Sequence, residues 1–363
     1  MSKVLFDKTS STPLYRQLAE ELRKQVKDGE ISVGQKLPSE SEMIQEYGVG
    51  RMTVRNALAL LVNEGILTKS QGKGTFCAGM TGAEEKRLDI QVLLDMSDTY
   101  FIPYYVRGIS SVLSRSGSNF LISDTHDDDQ ILCNLLEGLA RKKVSGVIFQ
   151  CTDDCLSEKT DERIIESVRA LTDSGVPVII IDGKVPELPI SSLSLDEESG
   201  GLRAAEHLAA YGHKKCTVIC RDEHRDARLR RKGFYDGAAL FGMELPLVIE
   251  AKSNWEEDLI RAAKNGITGV FAYNDDAALR AVMTLKKAGF SVPGDVSVIG
   301  FDDTYLAIAC DPQLTSLAHP KEQMGRDAAE LMLSMIQSGQ TSAVEKLYKT
   351  ELVMRASCAK AKI

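Results

Sequence analysis

The chain has 363 residues and a formal net charge of −8, too many residues for one ordinary hydrophobic core, so two or three packed units are expected. Its longest apolar runs, such as "GVPVIII", fall far short of a membrane span, and the opening "MSKVLFDKTSSTPLY" has no apolar signal core, so a cytoplasmic protein without membrane contact is expected. Residues 1–79 carry 11 Lys and Arg against 9 Asp and Glu, which leaves the acidic excess in the remainder and makes the leader the segment suited to a polyanion.

In chain order, "PLYRQLAEELRKQVKD" (13–28) repeats Leu14, Leu18, Leu22 and Val26 every four residues, and Gly29 supplies a stop, so a helix is predicted. A second helix starts at "PSESEM", where Ser39 and Glu42 form a capping box, runs to about Tyr47 and ends at Gly48. A third spans Gly50 to Gly65 with Val54, Leu58, Leu61 and Val62 as its buried stripe. "ILTKSQGKGTFCA" reads as two short strands around a polar tip. "GMTGAEEKR" has no apolar period and reads as a linker.

Beyond it the pattern changes. "DIQVLLD", "NFLISD", "VSGVIFQ", "VPVIIID", "KCTVIC", "TGVFAY" and "DVSVIGFDD" are short apolar runs, mostly separated by helix-like segments such as "RIIESVRALTDSG" and "GGLRAAEHLAAYG". Near-continuous apolar strands alternating with amphipathic helices predict parallel sheets covered on both faces. The length of this region predicts two doubly wound lobes.

The third helix opens on Arg51, Thr53 and Arg55. Cations at a helix N-terminus oppose its dipole, and an anionic partner removes that cost. The N-terminal residues of a recognition helix meet base edges in the major groove, where Arg pairs with guanine and Thr contacts bases or phosphate. A solvated helix start is the plain alternative. The following "SQGKGTF" favours the partner: Gly72 and Gly74 permit tight turns that bring Lys73 to a phosphate or the minor groove. A nucleotide-binding loop does not fit, since the G-x-x-x-x-G-K-[ST] spacing and the following helix are both missing.

Residues 13–76 closely resemble the GntR-type winged helix-turn-helix. The resemblance implies that Lys36, Arg51, Thr53, Arg55, Gln71, Gly72, Lys73, Gly74 and Thr75 face DNA. Gly50 departs from it, standing where the family usually has Ser. Gly still serves as an N-cap at modest cost, but a hydroxyl contact to phosphate is lost. Residues 89–358 resemble the LacI-type effector domain, related to periplasmic sugar-binding proteins, on "GVFAYNDDAALRAVMTLKKAGFSVPGDVSVIGFDD", "LTSLAHP", "SLSLDEESGGLRAAEHLAAYGH" and "ELVMRAS". A GntR head on a LacI body resembles the arabinose-responsive repressors of Gram-positive bacteria, and "IPYYVRGIS" fits that subgroup.

The expected fold is therefore α/β, with a winged helix-turn-helix at 1–79, a linker at 80–88, and a two-lobed doubly wound effector and dimerisation domain at 89–363. Ligands of open α/β sheets sit beyond the carboxyl ends of the strands. This marks Asp182, Asn274, Asp275 and Asp302, with Arg230 heading the "RLRRKGFYDG" helix and Arg107 in "IPYYVRGIS", as polar partners for a polyol. Tyr100, Phe101, Tyr104 or Trp255 could stack on a sugar face, and Lys184 is a further candidate. Asp275 alternatively caps the next helix. Asp196 reads as structural, His207 and His213 as packing or capping residues, and Asp127 to Asp129 as a solvated loop.

Of the eight cysteines, Cys151 and Cys155, and Cys216 and Cys220, share a C-x3-C spacing. No nearby His or Cys completes a zinc site, so reduced, buried thiols and no metal are expected. With five histidines and no nucleophile–base pair, neither an enzyme nor a cofactor is expected. An aminotransferase-type body would need a Schiff-base lysine and more chain. A sugar-transport component is the alternative, opposed by the whole head. The resemblance implies a homodimer on a double-stranded palindromic operator, released by a small sugar, L-arabinose or a close pentose.

Overall fold

The computed structural model describes residues 13–70, 74–79, 88–96, 101–151, 162–339 and 342–362. It divides into two compact units, Met1–Arg87 and Leu88–Ile363.

Among its described residues, the first unit holds three helices, α1 (Leu14–Lys27), α2 (Glu40–Tyr47) and α3 (Arg51–Asn63), and the antiparallel pair β1 (Leu67–Ser70) and β2 (Gly74–Cys77). The Ser39 capping box forms: the hydroxyl accepts from Glu42 N at 3.3 Å and the Glu42 carboxylate accepts from Ser39 N at 2.7 Å. Gly48 closes α2 at φ 65°, a left-handed position that glycine takes freely. Leu18, Leu22, Met43, Val54, Ala57, Leu61 and Ile66 make a single small core. Val62, expected in the stripe, is only half-buried, and Ala57 fills the packed face instead. A stretch the sequence did not mark extends the hairpin: Leu37 N donates to Thr75 O and Cys77 N to Gln35 O, so Lys36 lies beside Phe76.

The second unit begins with β3 (Asp89–Leu94), α4 (Ile102–Leu113), β4 (Asn119–Asp124), α5 (Asp129–Ala140), β5 (Gly146–Gln150), α6 (Glu162–Asp173), β6 (Val178–Ile181) and β7 (Ser191–Leu195). It continues through α7 (Glu197–Ala210), β8 (Cys216–Cys220), α8 (Arg225–Leu240), β9 (Leu247–Glu250), α9 (Trp255–Lys264), β10 (Gly269–Ala272), α10 (Asp275–Lys287), β11 (Ser297–Asp302), α11 (Tyr305–Ala309) and β12 (Thr315–Ala318). It ends with α12 (Lys321–Ser338), β13 (Glu345–Tyr348) and β14 (Glu351–Val353).

Among the described residues these strands form two six-stranded sheets, ordered β13-β7-β6-β5-β3-β4 and β14-β12-β11-β10-β8-β9. Every pairing is parallel except β12 with β14. The chain crosses between lobes three times: through α7, through α12, and between β13 and β14. Strand interiors are buried on both faces, as Val147, Ile148 and Phe149 in β5 illustrate, so the apolar runs are continuous and do not alternate.

Two close helix contacts hold the crossovers. A side chain on Gly201 of α7 would place its Cβ 1.9 Å from Arg230 O of α8, and one on Gly233 of α8 would lie equally close to Glu198 O. Gly108 of α4 and Gly325 of α12 meet the other helix's backbone in the same manner, at 2.2 and 2.5 Å. Only glycine allows such approach.

Asp127 and Asp128 of the acidic run are exposed ahead of α5, as expected of a solvated loop, and the run has a capping role besides. Asp128 caps α5 by accepting from Gln130 N and Ile131 N, and Asp129 is the first helical residue. Asp196 caps α7 through Ser199 N. His213 joins Thr268 and Ala359 O at 2.9 and 3.0 Å, and His207 packs on Tyr211 in the last turn of α7. Cys216 and Cys220 are buried at opposite ends of β8, about 13 Å apart at the strand rise of about 3.3 Å per residue, which is too far to share an ion. Cys155 lies outside the described residues. Among the described residues, no helix is long and apolar enough to cross a membrane.

Candidate functional site

At the first unit, Arg51, Arg55 and Lys36 are exposed, and Thr53 and Thr75 are half-buried. Arg55 Nε lies 3.7 Å from a carboxylate oxygen of Glu40 at the start of α2. Gly74 adopts φ 118°, and a Cβ there would lie 2.8 Å from Lys36 Cε. Glycine thus lets the lysine stem lie across the hairpin. Gln71, Gly72 and Lys73 lie outside the described residues. The Gly50 N-cap donates no side chain, which leaves the first amides of α3 for an anion.

In the second unit, polar side chains from both lobes converge at the strand ends. Asp182 follows β6 and Asp302 closes β11. Both are buried and both have positive φ, 62° and 96°. Gln150, at the end of β5, donates to Asp182 at 3.3 Å. Arg230 is 6% exposed, held by Glu197 through Nε at 2.6 Å and Nη2 at 3.3 Å, and its Nη1 donates to Tyr273 O at 2.7 Å. That same Nη1 is 3.5 Å from Asp302 Oδ1, and the guanidinium lies over the Phe301 ring at 3.7 Å. The two planar groups leave Arg230 one rigid orientation.

His319, just past β12, stands between the lobes. Its Nε2 is 3.0 Å from the Tyr105 hydroxyl and 3.7 Å from Asp182 Oδ1, and its Nδ1 is 3.8 Å from Asp302 Oδ1. Among the described residues, neither Nδ1 nor Asp302 Oδ1 has a hydrogen-bond partner, although both are buried. The ionised Asp302 carboxylate opposite Nδ1 favours the tautomer that carries the ring proton there, and Nε2 then accepts from the Tyr105 hydroxyl. A donor and an acceptor then face each other too far apart to bond. A hydroxyl placed between them satisfies both, accepting from the ring and donating to the carboxylate. Lys321 Nζ donates to Asp302 O and to His319 O and sits over the Phe101 and Tyr104 rings at 5.1 and 5.3 Å. It fixes the backbone behind the site.

Electrostatics sort these groups. Burial, with Asp226 and Glu197 nearby, pushes the Asp182 carboxyl well above its ordinary value. Burial raises Glu197 to about 7 against the pull of Arg230. Burial also opposes ionisation of Asp302, but Arg230, the facing His319 ring and Lys321 outweigh it and hold that carboxyl below the ordinary value. His319 is lowered to about 4 by burial and is neutral at pH 7. Asp182, Glu197 and Asp226 offer oxygens within 4.8 Å of one another, a spacing that could hold a cation. Arg230 already supplies a positive charge at Glu197, so a second cation there would meet repulsion.

The remaining predicted residues divide. Phe101 and Tyr104 flank Lys321, and Arg107 lies on the Tyr104 ring at 5.3 Å while pairing with Glu322 at 3.5 Å. Asn274 caps α10 by accepting from Ala277 N. Asp275 is fully buried and occupied: it accepts from Ser316 Oγ at 2.6 Å and from Thr304 N and Oγ1 at 2.6 and 3.0 Å. It ties α10 to the segment after β11 and positions Asp302 from behind. Trp255, expected to stack on a ligand, is packed in the core of the second lobe with Leu259 and Ile249, because it opens α9 on that helix's apolar face. Lys184 pairs at the surface with Glu345. Tyr100 lies outside the described residues. Glu197, His319, Lys321, Tyr105 and Gln150 were missed as contributors. The signal for His319 was "SLAHP", a polar residue directly after a short apolar run.

A helix-turn-helix unit carried on one chain with a two-lobed domain whose strand ends hold a polar cluster defines a ligand-responsive DNA-binding regulator. Residues 14–77 match the family model of bacterial regulatory proteins of the gntR family, and residues 205–358 match a periplasmic binding protein-like domain. The chain is 30% identical to the arabinose metabolism transcriptional repressor of Halalkalibacterium halodurans, covering 96% of this chain and 97% of that one. It is 28% identical to the protein so named from Geobacillus stearothermophilus, over 96% and 99%. Among solved structures it is similar to a LacI family transcriptional regulator from Enterococcus faecium with bound ribose, at 25% identity and TM-score 0.63, covering 76% of this chain and all of that one. The chain belongs to the family of GntR-headed, LacI-type transcriptional repressors that includes the two arabinose metabolism repressors.

Proposed function

We propose that this repressor is released from its operator by a pentose, with L-arabinose as the effector. The observation that carries the effector reading is the buried pair Asp302 Oδ1 and His319 Nδ1, 3.8 Å apart beside the Arg230 clamp. A neutral polyol supplies hydroxyls that both donate and accept, and burying the pair unsatisfied costs free energy that such a ligand recovers. The names of the two relatives favour arabinose, and the ribose in the Enterococcus faecium structure favours a five-carbon sugar at this cleft. Asp182, Arg230, Asp302 and His319 contact the sugar, Phe101 and Tyr104 border it, and Asn274 and Asp275 hold the second-lobe wall.

Residues 1–79 bind DNA through Arg51, Thr53 and Arg55 on α3 and through the hairpin with Lys36, Gln71 to Lys73, Gly74 and Thr75. Residues 80–88 link the units, and residues 89–363 bind the effector and pair two copies in the cytoplasm. One head makes few phosphate contacts, so a homodimer on a palindromic operator gains its affinity from two.

A thermal-shift series with L-arabinose, D-ribose, D-xylose and D-glucose tests the effector. L-Arabinose at a hundred times its Kd stabilises the full chain by about 2.7 kcal/mol, and Asp302→Ala loses that shift. A hexose that shifts the melting point when no pentose does would replace arabinose. An undiminished arabinose shift in Asp302→Ala would move the site elsewhere.

A further inference from the structure

Tyr105 lies on α4 and is fully buried. Its ring meets Phe101 edge-on at 5.4 Å, and Phe101 meets the His319 ring in the same manner at 5.0 Å. Packing alone asks only for the ring, which phenylalanine also has, and a hydroxyl buried at this depth needs a partner. The Tyr105 oxygen is 3.0 Å from His319 Nε2 and 3.9 Å from Met324 Sδ, and it adjoins the Asp182 carboxyl. Burial, with the Asp182 charge beside it, pushes the hydroxyl well above its ordinary value, so it keeps its proton. A phenol has one proton to give. The imidazole nitrogen is a better acceptor than a thioether sulfur at the longer distance. Burial also pushes the Asp182 carboxyl well above its ordinary value, which weakens its claim on that proton.

With Nε2 engaged as an acceptor, the His319 proton stays on Nδ1, opposite Asp302 Oδ1 at 3.8 Å. The other tautomer would turn two lone pairs toward each other across that gap. Asp302 favours the same tautomer but is too far away to bond the ring. We infer that Tyr105 is a positioning residue for the effector: acting through His319, it holds the ring and its proton so that the gap to Asp302 takes only a group that both accepts and donates, a hydroxyl. This rests on the sugar reading of the cleft and deepens it. An ether, a carbonyl or a fluorine accepts from Nδ1 but offers nothing to the carboxylate. An ammonium group satisfies the carboxylate but meets the ring N–H with a second donor. Selection is shared between the lobes, since Tyr105 comes from α4 of the first, while Asp302 and His319 end β11 and follow β12 of the second.

Nuclear magnetic resonance of the full chain, with its histidines labelled by heavy nitrogen, reads the tautomer directly, and His319→Gln identifies the His319 signals by their loss. The expected wild-type spectrum at neutral pH shows the proton on Nδ1 and a hydrogen-bonded lone pair on Nε2. In Tyr105→Phe the proton moves toward Nε2. Titration calorimetry with L-arabinose gives the second readout. Tyr105→Phe binds roughly 5- to 150-fold more weakly, the cost of leaving a buried acceptor unpaired. Adding Tyr105→Phe to His319→Gln brings no further loss, because the tyrosine acts through the ring. A merely structural role would leave the tautomer alone and add its loss to that of His319→Gln. The inference is overturned by a proton on Nε2 in wild type, by an unchanged tautomer in Tyr105→Phe, or by additive losses in the double variant. The wild-type spectrum decides even if Tyr105→Phe fails to fold. A wild-type chain with the stated tautomer that binds no pentose would overturn the sugar reading and uphold the hold of Tyr105 on His319, which separates the two failures.

Discussion

Asp182 and Asp302 hold left-handed backbone angles at the ends of strands from opposite lobes. For residues other than glycine that conformation carries strain, and it persists where the surroundings over-determine it, commonly at ligand sites. The sequence marked both by their position after apolar runs. It did not mark Glu197, which reads as one of several acids at a helix start yet is 4% exposed against Arg230. Glu197 leads to a pH prediction. Its carboxyl is raised from 4.5 to about 7 by burial, so the folded chain binds that proton more tightly than the unfolded one. The associated stability is complete below pH about 4.5 and is lost as pH rises through about 7, by at most on the order of 3 kcal/mol. Glu197→Gln cannot titrate. Its melting temperature should therefore fall less steeply than that of wild type across this window in pH-resolved calorimetry. Parallel curves would remove Glu197 as the proton-binding group.

At the scale of elements, what was legible depended on how continuous the apolar pattern was. The seven apolar runs became strands, and the three head helices appeared as predicted. β7 escaped because "SSLSL" alternates serine with leucine, although Ser191 and Ser192 are as buried as their neighbours. Its serines are accommodated by hydrogen bonds, among them Val344 N to Ser191 Oγ at 3.1 Å. β9, β12, β13 and β14 have three or four residues each and include half-buried or exposed positions, so they lack the fully buried apolar run that made the equally short β6 and β10 legible. Missing β12 hid the residue at its carboxyl end, His319, from the rule that found the strand-end carboxylates. The α7–α8 contact was also invisible in "EESGG" and "RRKGF", because close approach depends on which helices meet. Gly201→Ala should separate α7 from α8 at the very turns that carry Glu197 and Arg230. The expected cost is about 1–3 kcal/mol for overpacking, together with weakened sugar binding. Wild-type stability and sugar affinity in this variant would mean that the helix spacing does not set the clamp.

For the whole molecule, three crossings tie the lobes so that a ligand touching Asp182 on one side and Asp302 on the other biases how they close. A ligand changes DNA affinity only to the extent that it prefers one conformation over another. The central claim is that the sugar which fills the cleft weakens the hold on DNA. Titration of a labelled operator duplex, selected by the protein itself, with and without saturating L-arabinose measures this directly. Allosteric coupling of about 1–3 kcal/mol predicts a several-fold to roughly hundredfold loss of operator affinity with the sugar present, and none with Asp302→Ala. Equal operator affinity in both conditions, with the sugar demonstrably bound, would contradict the account.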